Sequence, residues 1–216
     1  MTESSVVALV PTDGSEEPGV LTLVKGEPLL TRAVRGLIDS QCVDLVIVTA
    51  PARRVASYEN ALLFPEGPSL KHHCRVVEDR PGVSPLRRAF DAAELSAEQI
   101  VLVHDALRAL APPALVESVV EAVRAGARAV VPVVPVTDTV KIVEGGVLTT
   151  TEDRAFLRAV QSPQGYTAEA LREVADSPDP LAALGAAVHL VDGHPNALEI
   201  TSAFDLAVAE SLLESL

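Results

Sequence analysis

The sequence is poor in aromatic and basic residues, and both shortages limit the partners it can bind. Phe, Tyr and Trp together make up 3% of the 216 residues, and Trp is absent. Lys and Arg number 17 against 30 Asp and Glu, which gives a formal net charge of −13. A surface that binds nucleic acid needs clustered cations to neutralise phosphates and, for single strands, aromatic rings on which bases stack. The composition therefore argues against nucleic acid as a partner.

Cysteine and long apolar runs are also scarce. The two cysteines, Cys42 and Cys74, are far apart and have no spacing typical of a metal site, so we interpret them as buried thiols in a reducing cytoplasm. No apolar run reaches the roughly 18 residues that a bilayer-spanning helix needs. The segment of residues 1–5 is short and polar, and it lacks the basic region followed by an apolar region that a secretory signal has. We therefore expect a cytoplasmic protein with no membrane partner.

What the sequence does contain is an alternation of short β-branched runs with longer amphipathic segments. The apolar runs at Val6–Val10, 100–104 and 129–134 are typical of strands that are covered on both faces. Residues 113–125 carry Leu and Val at helical spacing, as do several other segments between the runs. This alternation predicts an α/β fold with a mostly parallel twisted sheet. The length suits a single domain that spans residues 1–216.

The pattern changes after residue 134. Residues 140–143 and Val147–Thr151 flank a Glu-Gly-Gly segment whose glycines can supply the positive φ angles of a tight turn. We predict a β-hairpin arm that covers approximately residues 138–161. An isolated two-stranded hairpin is marginally stable in water and gains stability from a partner surface. The arm therefore predicts a homodimer.

Polar residues follow the ends of three predicted strands, where open α/β sheets bind their ligands. The loop of residues 11–19 follows the first strand. Its glycines could let backbone N–H groups approach a phosphate, so Pro11, Thr12, Asp13 and Gly14 are candidate nucleotide-binding residues. A plain surface turn explains the same composition equally well.

Two further strand ends carry candidate site residues. Asp105 follows a very apolar strand, and its carboxylate is well placed to hold Mg²⁺, which prefers oxygen ligands and phosphates. The alternative is an Asp that caps the following turn. Residues 137–141 follow the strand 129–134, and ordinary turn chemistry is the alternative there.

Several segments together resemble the 2-C-methyl-D-erythritol 4-phosphate cytidylyltransferase family. Residues 101–106 are similar to the strand that delivers the family's metal-binding Asp, and residues 135–141 resemble its Pro-x-x-Asp-Thr-x-Lys segment. Arg154, with residues 157–166, resembles the family's Arg and its Thr-Pro-Gln-x-Phe run. Further matches are residues 28–30, 191–193, 200–201 and 205–206. The resemblance covers nearly the whole chain.

The resemblance implies a Rossmann-like, GT-A-like nucleotidyltransferase fold and a reaction of isoprenoid biosynthesis by the non-mevalonate route. In that reaction CTP and 2-C-methyl-D-erythritol 4-phosphate give CDP-methylerythritol and pyrophosphate. It implies that Asp105 binds Mg²⁺ and that Thr139 and Arg154 are catalytic. Asp138 and Lys141 would join Thr139 and Arg154 around methylerythritol phosphate, with Arg154 on the arm that completes a partner subunit's site.

The nucleotide side of the implied site departs from the family pattern. Ser84 and Arg108 would join the first loop around CTP, but that loop is short and acidic and lacks the family's Arg and Lys. Glu199 stands where the family has Lys. Two or three missing cationic contacts predict CTP binding weaker by at least about 10² and pyrophosphate release near background. Lys25, Arg80 and Arg108 are the candidate replacements.

Three functions stay open at this point. The first is an active cytidylyltransferase with a rearranged triphosphate site. The second is a catalytically inactive relative that keeps the fold and the dimer arm for a binding or regulatory role. The third is a nucleotidyltransferase with a changed substrate.

Overall fold

The computed structural model describes residues 4–12, 19–63 and 73–214, and an eight-stranded sheet lies at its centre. In chain order the strands are β1 (Val6–Val10), β2 (Leu23–Val24), β3 (Glu27–Pro28), β4 (Leu45–Ala50), β5 (Cys74–Glu78), β6 (Ile100–Val103), β7 (Ala129–Pro135), β8 (Lys141–Glu144), β9 (Val147–Thr151), β10 (Arg158–Val160), β11 (Gln164–Thr167) and β12 (Val188–Asp192). The α-helices are α1 (Leu29–Asp39), α2 (Val55–Ala61), α3 (Pro85–Ala93), α4 (Pro113–Arg124), α5 (Ala168–Val174), α6 (Pro180–Leu184) and α7 (Ala203–Glu214).

The strands cross the central sheet in the order β5-β4-β1-β6-β11-β7-β12, and β10 pairs with the end of β7 on the same side as β11. β1 is parallel to β4 and β6, β4 to β5, and β7 to β12. β11 is antiparallel to both β6 and β7, so β6 and β7 run in the same direction. The predicted mostly parallel sheet is confirmed, and six strands end at one edge.

Both faces of the sheet are covered, which explains the continuous apolar runs. All five residues of β1 are buried. Val6, Ala8 and Val10 belong to one apolar cluster with residues of α1 and α4. Val7 and Leu9 belong to a second cluster with residues of α3 and α5. Each buried Val or Leu side chain contributes about 1.5–3 kcal/mol to folding, so the strands at the centre of the sheet hold the layers together.

The hairpin arm forms as the glycine pattern predicts. β8 and β9 pair antiparallel, and Gly145 and Gly146 occupy the turn with φ of 57° and 81°. All five residues of β9 are exposed. The arm therefore projects from the sheet rather than packing into either core cluster.

The structure also contains elements that the sequence pattern does not predict. β2 and β3 are two residues each, too short to show the alternation of apolar and polar residues that indicates a strand. β11 is four residues long and includes Gly165, where a Cβ atom would lie 2.6 Å from Val119 Cγ1. α6 is five residues long and begins at Pro180, and the Asp179 side chain caps it. Within the described residues, no helix combines the length and apolar character needed to cross a bilayer.

Candidate functional site

The loops that carry the candidate site residues lie along one edge of the sheet. β1, β5, β6, β7 and β12 run in the same direction, so the segments that follow them emerge at the same carboxyl edge. The corner between β10 and β11 lies at this edge as well, because Gln164 at the start of β11 pairs with Val103 at the end of β6. The topology thus gathers segments from distant parts of the chain.

Asp105 begins a tight turn directly after β6. Its Oδ1 atom accepts a hydrogen bond of 2.9 Å from Leu107 N, and Arg108 N donates to Asp105 O at 3.0 Å. Its own main-chain N donates to Ser162 Oγ at 3.0 Å. The turn-capping alternative is therefore correct as a description of this side chain. It leaves the metal-binding hypothesis standing, because a carboxylate has about four lone-pair sites.

His104, the neighbour of Asp105, is 2% exposed, and its Nδ1 atom lies 3.0 Å from Ser162 Oγ. Burial, with a smaller contribution from the charge of Arg108, lowers the pKa of His104 from 6.5 to about 3. The imidazole is therefore neutral at physiological pH. Its main-chain N donates to Leu9 O at 2.9 Å, which attaches the start of the turn to β1.

Arg108, a candidate replacement cation, is engaged by the chain's own groups. Its Nη1 atom donates to Ala197 O at 2.9 Å, and its Nη2 atom forms an ion pair of 2.9 Å with Glu199 Oε2. The Arg108 side chain is 16% exposed and that of Glu199 is 45% exposed. The guanidinium offsets the negative charge of Glu199, which reduces the repulsion that this carboxylate would exert on a phosphate.

The segment after β12 is held against the sheet by a buried amide. Gln161 is 5% exposed, and its Nε2 atom donates to His194 O at 2.9 Å and to Ala197 O at 3.2 Å. Its Oε1 atom accepts from His194 N at 2.8 Å. Gly193 permits this approach, because a Cβ atom there would lie 2.3 Å from Gln161 Oε1. Gln161, the neighbour of Ser162, therefore also fixes the Ala197 carbonyl group to which Arg108 donates.

The described part of the first loop is held by hydrogen bonds to β4. Thr12 is 6% exposed; its N donates to Thr49 Oγ1 at 2.9 Å and its Oγ1 donates to Thr49 O at 2.8 Å. These bonds fix the end of β1 and the adjoining Pro11. The candidates Asp13 and Gly14 lie outside the described residues.

Arg154 contacts the segment between β7 and the arm. Its Nη1 atom donates to Thr137 O at 2.6 Å, and within the described ranges neither Glu152 nor Asp153 forms an ion pair with it. The neighbouring candidates Asp138, Thr139 and Lys141 are exposed, and Lys141 Nζ bonds to the Thr151 hydroxyl group across the hairpin. The base of the arm therefore brings Arg154 and the residues around Thr139 together.

The remaining candidates, Ser84, Lys25 and Arg80, have different surroundings. Ser84 is the N-cap of α3, where its Oγ accepts from Arg87 N at 3.1 Å. Lys25 is in the β2–β3 turn and forms an ion pair with Glu214 of α7, which raises the pKa of Lys25. Arg80 is exposed in the turn after β5.

Comparison with known proteins identifies the family. The family model for 2-C-methyl-D-erythritol 4-phosphate cytidylyltransferase (IspD) matches residues 12–215. The chain belongs to this family. Proteins named as 2-C-methyl-D-erythritol 4-phosphate cytidylyltransferases in Saccharopolyspora erythraea and Nocardia farcinica are each 45% identical to it, over 97% and 98% of this chain and 99% and 95% of theirs.

Solved structures of the cytidylyltransferase family share the fold. A crystal structure of 4-diphosphocytidyl-2C-methyl-D-erythritol synthase superposes with a TM-score of 0.81 at 21% identity, over 99% of this chain and all of that one. The 2-C-methyl-D-erythritol 4-phosphate cytidylyltransferase of Thermus thermophilus gives 0.73 at 28% identity, over 96% of this chain and 98% of that one. The predicted α/β nucleotidyltransferase-like fold with a mostly parallel sheet is confirmed.

The candidate site residues have the chemistry to hold a magnesium ion with the help of nucleotide phosphates. Among the described residues, no group of three or more His, Cys, Asp and Glu side chains could hold a metal by itself. Mg²⁺ is commonly bound by one or two carboxylates together with substrate phosphates, rather than by an all-protein cage. A carboxylate fixed at the carboxyl edge of the sheet, as Asp105 is, has the chemistry that this arrangement requires.

Sequence reasoning alone misses the buried polar residues that support the site in this family member. Ser162 is identified only as part of a family motif, and neither Gln161 nor His104 is a site candidate. The available signal is the run of polar residues 161–162 directly after β10, together with the polar pair that follows β6. Their partners are more than 30 residues away in sequence, so only the sheet order brings them together.

Proposed function

We propose that the chain transfers the cytidylyl group of CTP to 2-C-methyl-D-erythritol 4-phosphate and releases pyrophosphate. The support is its membership of the cytidylyltransferase family and its 45% identity, over nearly full length, to proteins that carry this name. The observation that carries the proposal is the turn at Asp105, whose main chain and carboxylate are each fixed by a hydrogen bond at the carboxyl edge. We propose that it works in the cytoplasm.

In this reaction one anion attacks another, so catalysis depends on positioning and on neutralising charge. We propose that Asp105 holds Mg²⁺ when the nucleotide binds, and bound Mg²⁺ supplies positive charge to phosphate oxygens. The chain's own part is to present the Asp105 carboxylate in a fixed direction and to bind both substrates. The segment at Pro11 and Thr12 follows β1, and Ser84 follows β5, so both lie along the same edge and are the candidates for nucleotide contacts.

The other substrate, methylerythritol phosphate, fits the base of the arm. A guanidinium group carries five N–H donors, so Arg154 can hold a phosphate by two bonds while one N–H holds Thr137 O. The exposed hydroxyl group of Thr139 and the ammonium group of Lys141 would add a hydrogen bond and a positive charge, and Asp138 would bind a substrate hydroxyl group. These side chains would hold the attacking phosphate and limit its motion.

We propose that the chain, as one domain of residues 1–216, forms a homodimer through the arm of residues 138–161. The arm exposes large apolar side chains, and a partner subunit that covered them would remove them from water. Val143 is 58%, Val147 65%, Leu148 66% and Phe156 86% exposed. In this arrangement the arm of one subunit would bring Arg154 to the site of the other.

A second candidate function, a non-catalytic relative, is favoured by one observation. Glu199 occupies a position where the family pattern has a cation, and the chain uses Arg108 to pair with it. A pyrophosphate-release assay with CTP, Mg²⁺ and methylerythritol phosphate separates the two functions. Release that requires all three components supports the transferase. Release equal to that of a CTP-only control supports the non-catalytic relative.

A further inference from the structure

Ser162 is a buried hydroxyl group next to the candidate metal carboxylate. It lies in the corner between β10 and β11, is 5% exposed, and contacts both residues that follow β6. Its Oγ atom accepts from Asp105 N at 3.0 Å and lies 3.0 Å from His104 Nδ1. The corner reaches this position because β11 is inserted antiparallel beside β6, with Gln164 opposite Val103.

The direction of the hydrogen bond from Asp105 N follows from the groups involved. A main-chain N–H can only donate, so Ser162 Oγ is the acceptor for Asp105. A hydroxyl group has one proton and two lone pairs, so Ser162 either donates to His104 Nδ1 or accepts from it, according to the tautomer of the neutral imidazole ring. His104 is in turn attached to β1 through its main-chain bond to Leu9 O. The Ser162 Oγ atom is therefore held from two sides, by the Asp105 main chain and by the His104 ring.

We propose that Ser162 is a positioning residue for Asp105. Its hydroxyl group fixes the peptide N–H of Asp105, while Leu107 N fixes one carboxylate oxygen, so the residue is held at both its main chain and its side chain. These two bonds constrain the direction in which the carboxylate presents its lone pairs to a divalent cation. The cation part of this inference rests on the proposed function, whereas the effect of Ser162 on the Asp105 main chain does not.

The test compares Ser162→Ala, which removes the acceptor, with Ser162→Thr, which keeps it. Hydrogen exchange of the Asp105 amide is measured by NMR without any ligand. Loss of one hydrogen bond predicts exchange about three- to tenfold faster in Ser162→Ala, with near wild-type exchange in Ser162→Thr. The exchange of an unrelated strand amide, such as that of Val46, is the internal control for global stability.

The second measurement concerns the cation. The Mg²⁺ concentration that gives half-maximal pyrophosphate release, and the affinity for Mn²⁺ with CTP measured by electron paramagnetic resonance, should both weaken about tenfold or more in Ser162→Ala. Ser162→Thr should restore both values, and the KM for CTP at saturating Mg²⁺ should change little. A residue that only stabilises the fold would change the melting temperature without moving these metal readouts.

Three results would overturn the proposal. The first is an Asp105 amide that exchanges at the wild-type rate in Ser162→Ala. The second is faster exchange with unchanged Mg²⁺ and Mn²⁺ dependence. The third is a raised KM for methylerythritol phosphate with an unchanged Asp105 amide, which would assign Ser162 to substrate contact. A wild-type chain that releases no pyrophosphate contradicts the proposed function instead, and the amide-exchange comparison still decides whether Ser162 holds Asp105.

Discussion

At the scale of single residues, the site is built from polar groups whose partners are fixed before any ligand binds. Asp105, Ser162 and His104 form one connected set of hydrogen bonds, and Arg108 and Glu199 form a separate ion pair beside it. His104 and Ser162 are buried, whereas Glu199 is exposed at the edge of the sheet. Each substitution at these positions is therefore tested both for ligand binding or activity and for the free energy of unfolding.

The first prediction concerns the charge of Asp105. Asp105→Asn keeps an oxygen atom that accepts from Leu107 N but removes the negative charge that attracts Mg²⁺. Calorimetry with CTP should lose the Mg²⁺-dependent part of binding, and the free energy of unfolding should change by less than about 1 kcal/mol. Asp39→Asn is the matched control, because Asp39 is exposed at the end of α1, toward the amino edge of the sheet. If Mg²⁺ dependence survives in Asp105→Asn, another group holds the cation.

The second prediction concerns the buried imidazole ring. Because the pKa of His104 is lowered from 6.5 to about 3, the folded chain keeps it neutral while the unfolded chain takes up a proton below pH 6.5. The stability from this residue is therefore complete above pH 6.5 and is lost as the pH falls. Between pH 7.5 and 5 the loss should be about 2 kcal/mol, since each unit below the unfolded pKa is about 1.4 kcal/mol.

Urea unfolding at both pH values measures the effect. His104→Asn should remove about 2 kcal/mol of the difference between the two pH values, whatever its stability at pH 7.5. His189→Asn, at an exposed position of β12, controls for the removal of a histidine. Equal pH dependence in wild type and His104→Asn would show that the folded protein protonates the ring as readily as the unfolded chain does.

At the scale of elements, the third prediction concerns the contact between the corner after β10 and the segment after β12. Gly193→Ala would place a Cβ atom 2.3 Å from Gln161 Oε1, 2.9 Å from Val134 Cγ1 and 3.0 Å from Val133 O. The backbone must shift, so the free energy of unfolding should fall by about 1–3 kcal/mol.

Gly36→Ala is the control of opposite sign. Gly36 lies inside α1, where the nearest contact of a Cβ atom is Ala111 O at 3.4 Å. Alanine in a helix interior should leave stability unchanged or raise it by up to about 1 kcal/mol. Equal stability of Gly193→Ala and wild type in chemical denaturation would show that Gln161 does not need the space that Gly193 leaves.

The elements differ in how far the sequence predicts them. Long apolar runs such as Val6–Val10 are predictable because burial on both faces leaves no polar position. β11 is not predictable from its four residues, because Gln164 and Gly165 do not show the alternating pattern of a strand. The strand forms because it pairs with its neighbours β6 and β7. Asp105 is identifiable as a candidate from its place after an apolar strand. Its link to Ser162 depends on strand order, which the alternation of elements does not specify.

At the scale of the whole molecule, the fourth prediction concerns assembly. Light scattering at micromolar concentration should give twice the 22.6 kDa mass of the chain. Phe156→Ser, at a residue 86% exposed on the arm, should weaken the dimer at least about tenfold, because a buried Phe side chain contributes about 1.5–3 kcal/mol. Leu190→Ser, 54% exposed in β12, is the control outside the arm. A wild-type monomer would rule out the arm as a dimer interface.

The fifth prediction is the rate of the reaction itself, measured as pyrophosphate release from CTP in the presence of Mg²⁺ and methylerythritol phosphate. We expect release that requires both substrates and is lost in Asp105→Asn. We also expect a rate at least about 10² below that of a family member with the full set of cations, because the loss of one charge-stabilising contact typically lowers the rate by roughly 10²–10³. Turnover of about 1 s⁻¹ or faster would show that other cations have replaced the missing ones. Release equal to that of Asp105→Asn would contradict the proposed cytidylyltransferase activity.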